Sequence, residues 1–315
     1  MILSASRRTD IPTFFSDWFL ARLKEGFLYV RNPYNRRIGK LVLTPEEVEL
    51  IVFWTKNAMP LTPHLDEIER LGYTTYCFFY TVTPYGLDVE AGLPEKNKIV
   101  ENFIALSKKI GRDRMTLRYD PILIDRHYTP DFHVRAFRAL LGRLEGYTER
   151  VVVSFIDLYP SIKGAFRPVS MRERYFLLTQ FEAIAAENGM SLQTCCEQTP
   201  EGCGVISRAC IDRDYVEKIT GLRVLAPEDG GQRTMCRCIE SVDIGNYDTC
   251  KNGCRYCYAT HPQKPTAHYD PSSPILCDSI DRGEIITLRH PRAATTGQLS
   301  FFEEAKATGR RDGLL

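Results

Sequence analysis

Thr74-Thr-Tyr-Cys-Phe-Phe-Tyr-Thr81, then an amphipathic stretch Glu95–Ile110, then Met115-Thr-Leu-Arg118, is the succession that decides the fold. The first run is short and apolar on both faces, as a strand buried between layers should be. The second carries its apolar residues at helical spacing, with Pro94 before it and Gly111 after it. A strand, a helical crossover and a second strand make a parallel unit.

The same alternation runs outward in both directions. Further strands are expected at Ile2–Ala5, Ile51–Thr55, Val151–Ile156 and Met190–Thr194, and further helices at Phe14–Glu25, Leu61–Leu71, Asp131–Glu145 and Met171–Asn188. Pro60 and Pro130 stand near helix starts, while Gly26, Gly72, Gly146 and Gly189 stand just past helix ends. Six strands joined this way predict an α/β fold, either a barrel or an open sheet. No Gly-rich phosphate loop follows an early strand, which favours a complete or partial parallel β/α barrel of the TIM type. The expected organisation is a barrel core over residues 1–199, a Cys-rich segment over 200–281 packed on the barrel mouth, and a polar tail over 282–315 with a short apolar patch, Leu299–Phe302.

Composition narrows the function. The 315 residues carry 41 Lys and Arg against 40 Asp and Glu, so no basic field calls for nucleic acid or anionic lipid. No apolar run approaches the roughly 18–20 residues of a membrane span. Arg7, Arg8 and Asp10 interrupt any secretory apolar region, so a cytoplasmic protein is expected. Ten of the eleven cysteines fall between Cys195 and Cys277, with only Cys77 outside. Thiols crowded into one part of a long, unsecreted chain point to metal or cluster ligation in a reducing compartment rather than to disulfides.

Polar residues gather where the expected strands end. Arg7, Arg8 and Asp10 follow the first, Lys56 and Asn57 the second, and Arg118 and Asp120 close the fourth. In a parallel barrel those ends share one face, where active sites are assembled. Arg7, Arg8, Asp10, Lys56, Arg118 and Asp120 are therefore the candidate catalytic or substrate residues, and their charges suit an anionic or zwitterionic small molecule. The competing structural reading makes Asp10 a helix cap and Arg118–Asp120 an ion pair.

Cys250-Lys-Asn-Gly-Cys254-Arg-Tyr-Cys257 is the sharpest local motif. Three thiolates at this spacing can hold three irons of a [4Fe-4S] cluster and leave the fourth open, whereas electron-transfer clusters use four Cys ligands. Zinc would need four closed ligands, with Cys254 and Cys257 as one half and Cys236 and Cys238 as an irregular other half. Cys196, Cys210, Cys236 and Cys238 are candidates for a second [4Fe-4S] cluster or a zinc ion. Cys195 and Cys196 are adjacent, so on a strand only one of them faces a site. Cys203 and Cys277 read as packing residues.

The spacing CxxxCxxC, with the aromatic Tyr256 before the last Cys, resembles the radical S-adenosylmethionine enzymes. In that superfamily the open iron chelates S-adenosylmethionine, and reduction of the cluster splits it to methionine and a 5′-deoxyadenosyl radical that abstracts hydrogen from a substrate. The resemblance implies a full or partial parallel barrel, Cys250, Cys254 and Cys257 as cluster ligands, Tyr256 as a backbone contact to the adenine, and a ferredoxin- or flavodoxin-type reductant. The motif follows the sixth strand here, where the superfamily usually has it after the first. Gly230-Gly231-Gln232 stands upstream of it, without the usual Glu.

Almost the whole chain resembles the domain of unknown function 1848 family. The likeness rests on Ser4-Ala-Ser-Arg-Arg-Thr-Asp-Ile-Pro12, Phe53-Trp-Thr-Lys-Asn57, Arg118-Tyr-Asp-Pro-Ile122, Gln232-Arg233 with Cys236 and Cys238, Asp243-Ile-Gly-Asn-Tyr247, the Cys250 motif through Tyr258-Ala259, and Gln298-Leu-Ser300. That resemblance supplies no substrate. Two other classes stay open at this point: a non-catalytic zinc- or cluster-binding module on the same scaffold, and modification or repair of nucleic-acid bases.

Overall fold

The computed structural model describes residues 1–162, 164–233, 235–261 and 268–300. Residues 301–315, which include Phe301 and Phe302 of the expected apolar patch and the last 15 residues of the expected tail, lie outside the described residues.

The chain opens with β1 (Ile2–Ala5), the one-turn α1 (Ile11–Phe14) and α2 (Ser16–Glu25). An antiparallel hairpin of β2 (Phe27–Arg31) and β3 (Ile38–Val42) then intervenes. There follow β4 (Leu50–Thr55), α3 (Leu65–Arg70), β5 (Tyr76–Thr81), α4 (Lys96–Ile110), β6 (Met115–Ile122), α5 (Pro130–Leu144), β7 (Arg150–Phe155), α6 (Met171–Glu187) and β8 (Ser191–Thr194). Beyond these come β9 (Ile206–Ser207), α7 (Arg213–Thr220), β10 (Leu222–Val224), β11 (Val242–Asp243), β12 (Ile286–Leu288) and β13 (Thr295–Leu299). The six strands expected from sequence are present, with ends shifted by a few residues at most. Local chemistry sets several helix ends. Thr129 caps α5 with Pro130 at its first position, Ser170 and Glu173 form a capping box on α6, and left-handed Gly26 closes α2.

One eight-stranded parallel sheet dominates, in the order β11-β1-β4-β5-β6-β7-β8-β9. From β1 through β8 each strand of this sheet pairs with the one before it in sequence. The order never reverses, as it would at the switch point of a doubly wound sheet. Every crossover from β1 to β8 therefore packs its helix on the same face. Leu3, Ile51, Phe53, Phe78, Tyr80, Leu117, Tyr119, Val151 and Val153 share one core with α2 to α6. Phe137 of α5 stacks on Phe181 of α6 with ring centroids 3.9 Å apart. Burying such a ring contributes about 2–3 kcal/mol.

The other face carries the alternate residues Ile2, Leu50, Val52, Cys77, Phe79 and Val152, which pack against Tyr215, Val216 and Ile219 of α7. Among the described residues no strand pair joins β11 to β9. Residues beyond 199 supply both end strands of the sheet as well as α7. No described helix is long and apolar enough to cross a membrane.

Candidate functional site

α7 covers only the N-terminal half of that second face. Over the C-terminal half the inward residues turn polar and open a cavity of about 540 Å³. It is lined by residues at or after the ends of β1, β4, β5, β6, β7 and β8, and by the loop carrying Cys250, Cys254 and Cys257. All six charged residues expected from the strand ends line it, as does Tyr256.

The cysteine loop is fastened to the segment after β5. Cys254 forms an isolated bridge with Glu90, the Arg255 N–H donates to the Val89 carbonyl at 2.9 Å, and the Gly92 N–H donates to the Asn252 carbonyl at 2.9 Å. A Cβ on Gly92 would lie 2.4 Å from the Lys251 carbonyl oxygen, so only glycine allows this approach. Burial pushes the Cys250 thiol well up and Cys254 to about 11, with nearby Lys56 pulling Cys254 back. The Ala259 N–H points at Cys257 Sγ at 3.4 Å. Asn252, inside the motif and on the cavity wall, has a buried Oδ1 without a hydrogen-bond partner.

Among the described residues, no three His, Cys, Asp or Glu side chains are grouped to hold one metal ion. A cubane spreads its thiolates over separate irons, so its ligands need not converge on one point. A donor set of three soft thiols on one loop, beside a cavity, fits such a group.

Beneath the loop lies a buried hub that sequence reasoning missed. Glu90 accepts hydrogen bonds from Lys56 Nζ at 2.9 Å and Thr83 Oγ1 at 2.7 Å, and further ones from Lys96 and from the Tyr256 hydroxyl. Burial alone would raise the Glu90 carboxyl, but Lys56, Lys96 and these hydrogen bonds hold it down at about 2. Burial likewise disfavours the charge on Lys56, and Glu90 and Cys254 more than restore it.

Asp10 proves to be a fastener. Its carboxyl takes the Thr13 N–H, Thr55 Oγ1, the Lys56 N–H and Asn252 Nδ2, joining the α1 cap, the end of β4 and the cysteine loop. Burial pushes its pKa up, partly offset by those bonds. Arg118 and Asp120 form the ion pair that the structural reading anticipated, and Ser154 donates to the same carboxylate. Arg118 also reaches Cys210 Sγ at 3.1 Å and lies 5.1 Å over the Trp54 ring.

The loop after β1 is held by Asp243, which accepts from Ser6 Oγ at 2.6 Å, the Arg7 N–H at 2.8 Å and the Gly245 N–H at 2.9 Å. A Cβ on Gly245 would fall 2.0 Å from Ser6 Oγ, which explains the glycine of Asp243-Ile-Gly-Asn-Tyr247. The Tyr258 hydroxyl donates to the Arg7 carbonyl at 2.6 Å, tying the cysteine loop to the same place.

A family model described as domain of unknown function (DUF1848) matches residues 2–259. The chain belongs to the DUF1848 family. The matched span contains every residue that lines the cavity. A search of curated proteins finds no match. A crystal structure from Bacteroides thetaiotaomicron assigned as an alpha-L-fucosidase is 10% identical, covering 62% of this chain and 84% of that chain at a TM-score of 0.27. A likeness that slight carries no argument about fold or activity.

This DUF1848 chain also brings together a row of thiols on the cavity wall. Cys210 Sγ lies 3.0 Å from Cys195 Sγ, Cys210 and Cys238 share a sulfur contact, and Cys236 hydrogen-bonds Cys238. Of the adjacent pair it is Cys195 that lines the cavity; Cys196, with φ of 55°, does not. The signal lay in the strand alternation. Leu192 faces the crossover helices, so Cys195, three residues on, faces the other side.

Proposed function

We propose that this family member is a radical S-adenosylmethionine-type enzyme. On this reading the sheet is a partial β/α barrel, and the substrate is a small molecule held at the mouth formed by its strand ends. The observation that carries the reading is that three thiols at CxxxCxxC spacing line the same cavity as the charged strand ends. Cys250, Cys254 and Cys257 would hold the [4Fe-4S] cluster, and Tyr256 would contact the adenine through its backbone. Bound there, a cluster with one open iron supplies the electron that cleaves S-adenosylmethionine reductively and so starts hydrogen abstraction.

The chain's own residues prepare the place. Glu90, Lys56 and Tyr256 brace the loop from beneath, Asp10 and Asn252 fix it to β4, and the Arg118–Asp120 pair lines the same cavity. The electron would come from a ferredoxin- or flavodoxin-type partner, in keeping with a reducing cytoplasm. A second [4Fe-4S] cluster would be held by Cys210, Cys236 and Cys238, with Cys195 in the place expected of Cys196.

Anaerobic reconstitution tests the reading. Iron, sulfide and dithionite-dependent release of 5′-deoxyadenosine from S-adenosylmethionine are expected, all lost in Cys254→Ala except what a second cluster retains. Zinc without iron, and no cleavage, refutes the enzyme and leaves a zinc-binding scaffold. Iron near four atoms per wild-type chain refutes the second cluster.

A further inference from the structure

The cations around the cavity are unevenly matched. Lys56 is paired with Glu90, Arg118 with Asp120 and Arg233 with Asp157. Arg7 and Arg8 also line the cavity, yet among the described residues neither guanidinium has a carboxylate partner. Asp10, the nearest acid along this loop, is taken up by Thr13, Thr55, Lys56 and Asn252, and Asp243 spends its oxygens on the hydroxyls of Ser4 and Ser6 and the N–H groups of Arg7 and Gly245.

The backbone carrying these two arginines is fixed from several sides. Asp243 and Tyr258 hold Arg7 through its N–H and carbonyl, and the Arg8 N–H is held by Ser6 Oγ at 2.9 Å. Their side chains rest on aromatic rings: Arg7 is 5.1 Å over Trp54 and Arg8 is 5.5 Å over Tyr247. Arginine stacked on a ring keeps its planar fork free for a second partner, and that fork matches carboxylate and phosphate oxygens. Arg7 donates one hydrogen bond to Ser241 Oγ at 3.3 Å, and the two preorganised forks, without a carboxylate, leave at the cavity a positive field that an anion would neutralise.

We infer that Arg7 and Arg8 form an oxyanion clamp for a carboxylate or phosphate group of the small-molecule substrate. This rests on the reading of the cavity as the substrate site, and it adds the substrate class. Inorganic phosphate is the probe, titrated calorimetrically into the reconstituted full-length chain. Wild type is expected to bind it at the cavity, and Arg7→Gln and Arg8→Gln each to weaken it about tenfold or more, as lost charge-assisted hydrogen bonds do. Arg172→Gln, on the exposed face of α6, is expected to leave it unchanged. Should Arg7→Gln fail to fold, Arg8→Gln carries the test, because among the described residues the Arg8 guanidinium makes no hydrogen bond and rests only on the Tyr247 ring.

No phosphate binding by wild type, or binding by both variants as tight as that of wild type, overturns the clamp. S-adenosylmethionine that displaces phosphate and itself loses affinity in both variants overturns the assignment to substrate, since the clamp then holds the methionine carboxylate. Phosphate binding that survives while S-adenosylmethionine is not cleaved supports the clamp and refutes only the reaction proposed above.

Discussion

Replacing Glu90 with Gln removes the one negative charge on which two partly buried lysines and a buried tyrosine converge. Glu90 is 1% exposed, so solvent screening does not discount the interaction. Its carboxyl is held at about 2 against an ordinary 4.5, a difference of about 2.5 units. At about 1.4 kcal/mol per unit this favours the folded chain by about 3 kcal/mol above pH 4.5, and the contribution is lost as pH falls towards 2. Breaking a buried pair by removing one partner costs about 3–5 kcal/mol by an independent route, because the other charge stays buried. The two estimates agree in size. For a chain this long, about 3 kcal/mol corresponds to a fall in Tm of roughly 6 °C. The assay is urea and thermal unfolding of the apo chain at pH 7, followed by the fluorescence of Trp18 and Trp54. Adding Lys56→Met to Glu90→Gln should recover part of the loss, since the orphaned cation goes too. A Glu90→Gln chain that melts within about 1 °C of wild type, a shift of about 0.5 kcal/mol, would refute the hub as a support of the loop.

His133 gives a pH dependence of its own. Burial lowers it to about 4 from 6.5, and its ring is neutral between Tyr119 OH at 2.8 Å and the Leu123 carbonyl at 2.9 Å. Above pH 6.5 it is neutral folded or unfolded; below that the unfolded chain binds the proton first, so stability falls by about 3 kcal/mol between pH 6.5 and 4. The difference in unfolding free energy between wild type and His133→Gln, followed over that window, should vary by this amount, and a flat difference speaks against it. Gly92→Ala should push the Cys250 loop off the segment after β5 and cost about 1–3 kcal/mol, with reduced iron retention after desalting as the readout. Mild oxidation should link Cys195 to Cys210, whose sulfurs already touch, and peptide mapping that instead finds Cys196 in the link would show the pair to be wrongly assigned.

The strands were legible because a strand covered on both faces has to be apolar on both, and β4, β5 and β7 are. The hairpin of β2 and β3 was not. Phe27–Arg31 is half-exposed and alternates over only five residues, with one buried face rather than two to mark it between the helix Phe14–Glu25 and the strand Ile51–Thr55. α7, eight residues long, was hidden among the cysteines, although it covers half of the second face of the sheet. The cysteine spacing was legible because three ligands on one loop must be close in sequence. Glu90 was not, because its partners Lys56 and Tyr256 lie 34 and 166 residues away and meet it only in the folded chain.

The charged strand ends carry a rule that could have been applied more sharply. In β6, Leu117 and Tyr119 face the crossover helices, so Thr116, Arg118 and Asp120 must share the other face. Two charges in register on one face of a strand whose opposite face is fully apolar cannot pack against an ordinary helix without unpaired burial. They require either a wet cavity or partners brought from elsewhere, and here Arg118 and Asp120 have both: each other, Ser154 and Cys210, and the cavity itself. β7 repeats the arrangement, with Val152 against α7 and Ser154 in the cavity. The inner face is thus divided along each strand, apolar where α7 lies and polar where it stops. The position of that boundary, set by one short helix from outside the expected core, is what places the site at the strand ends.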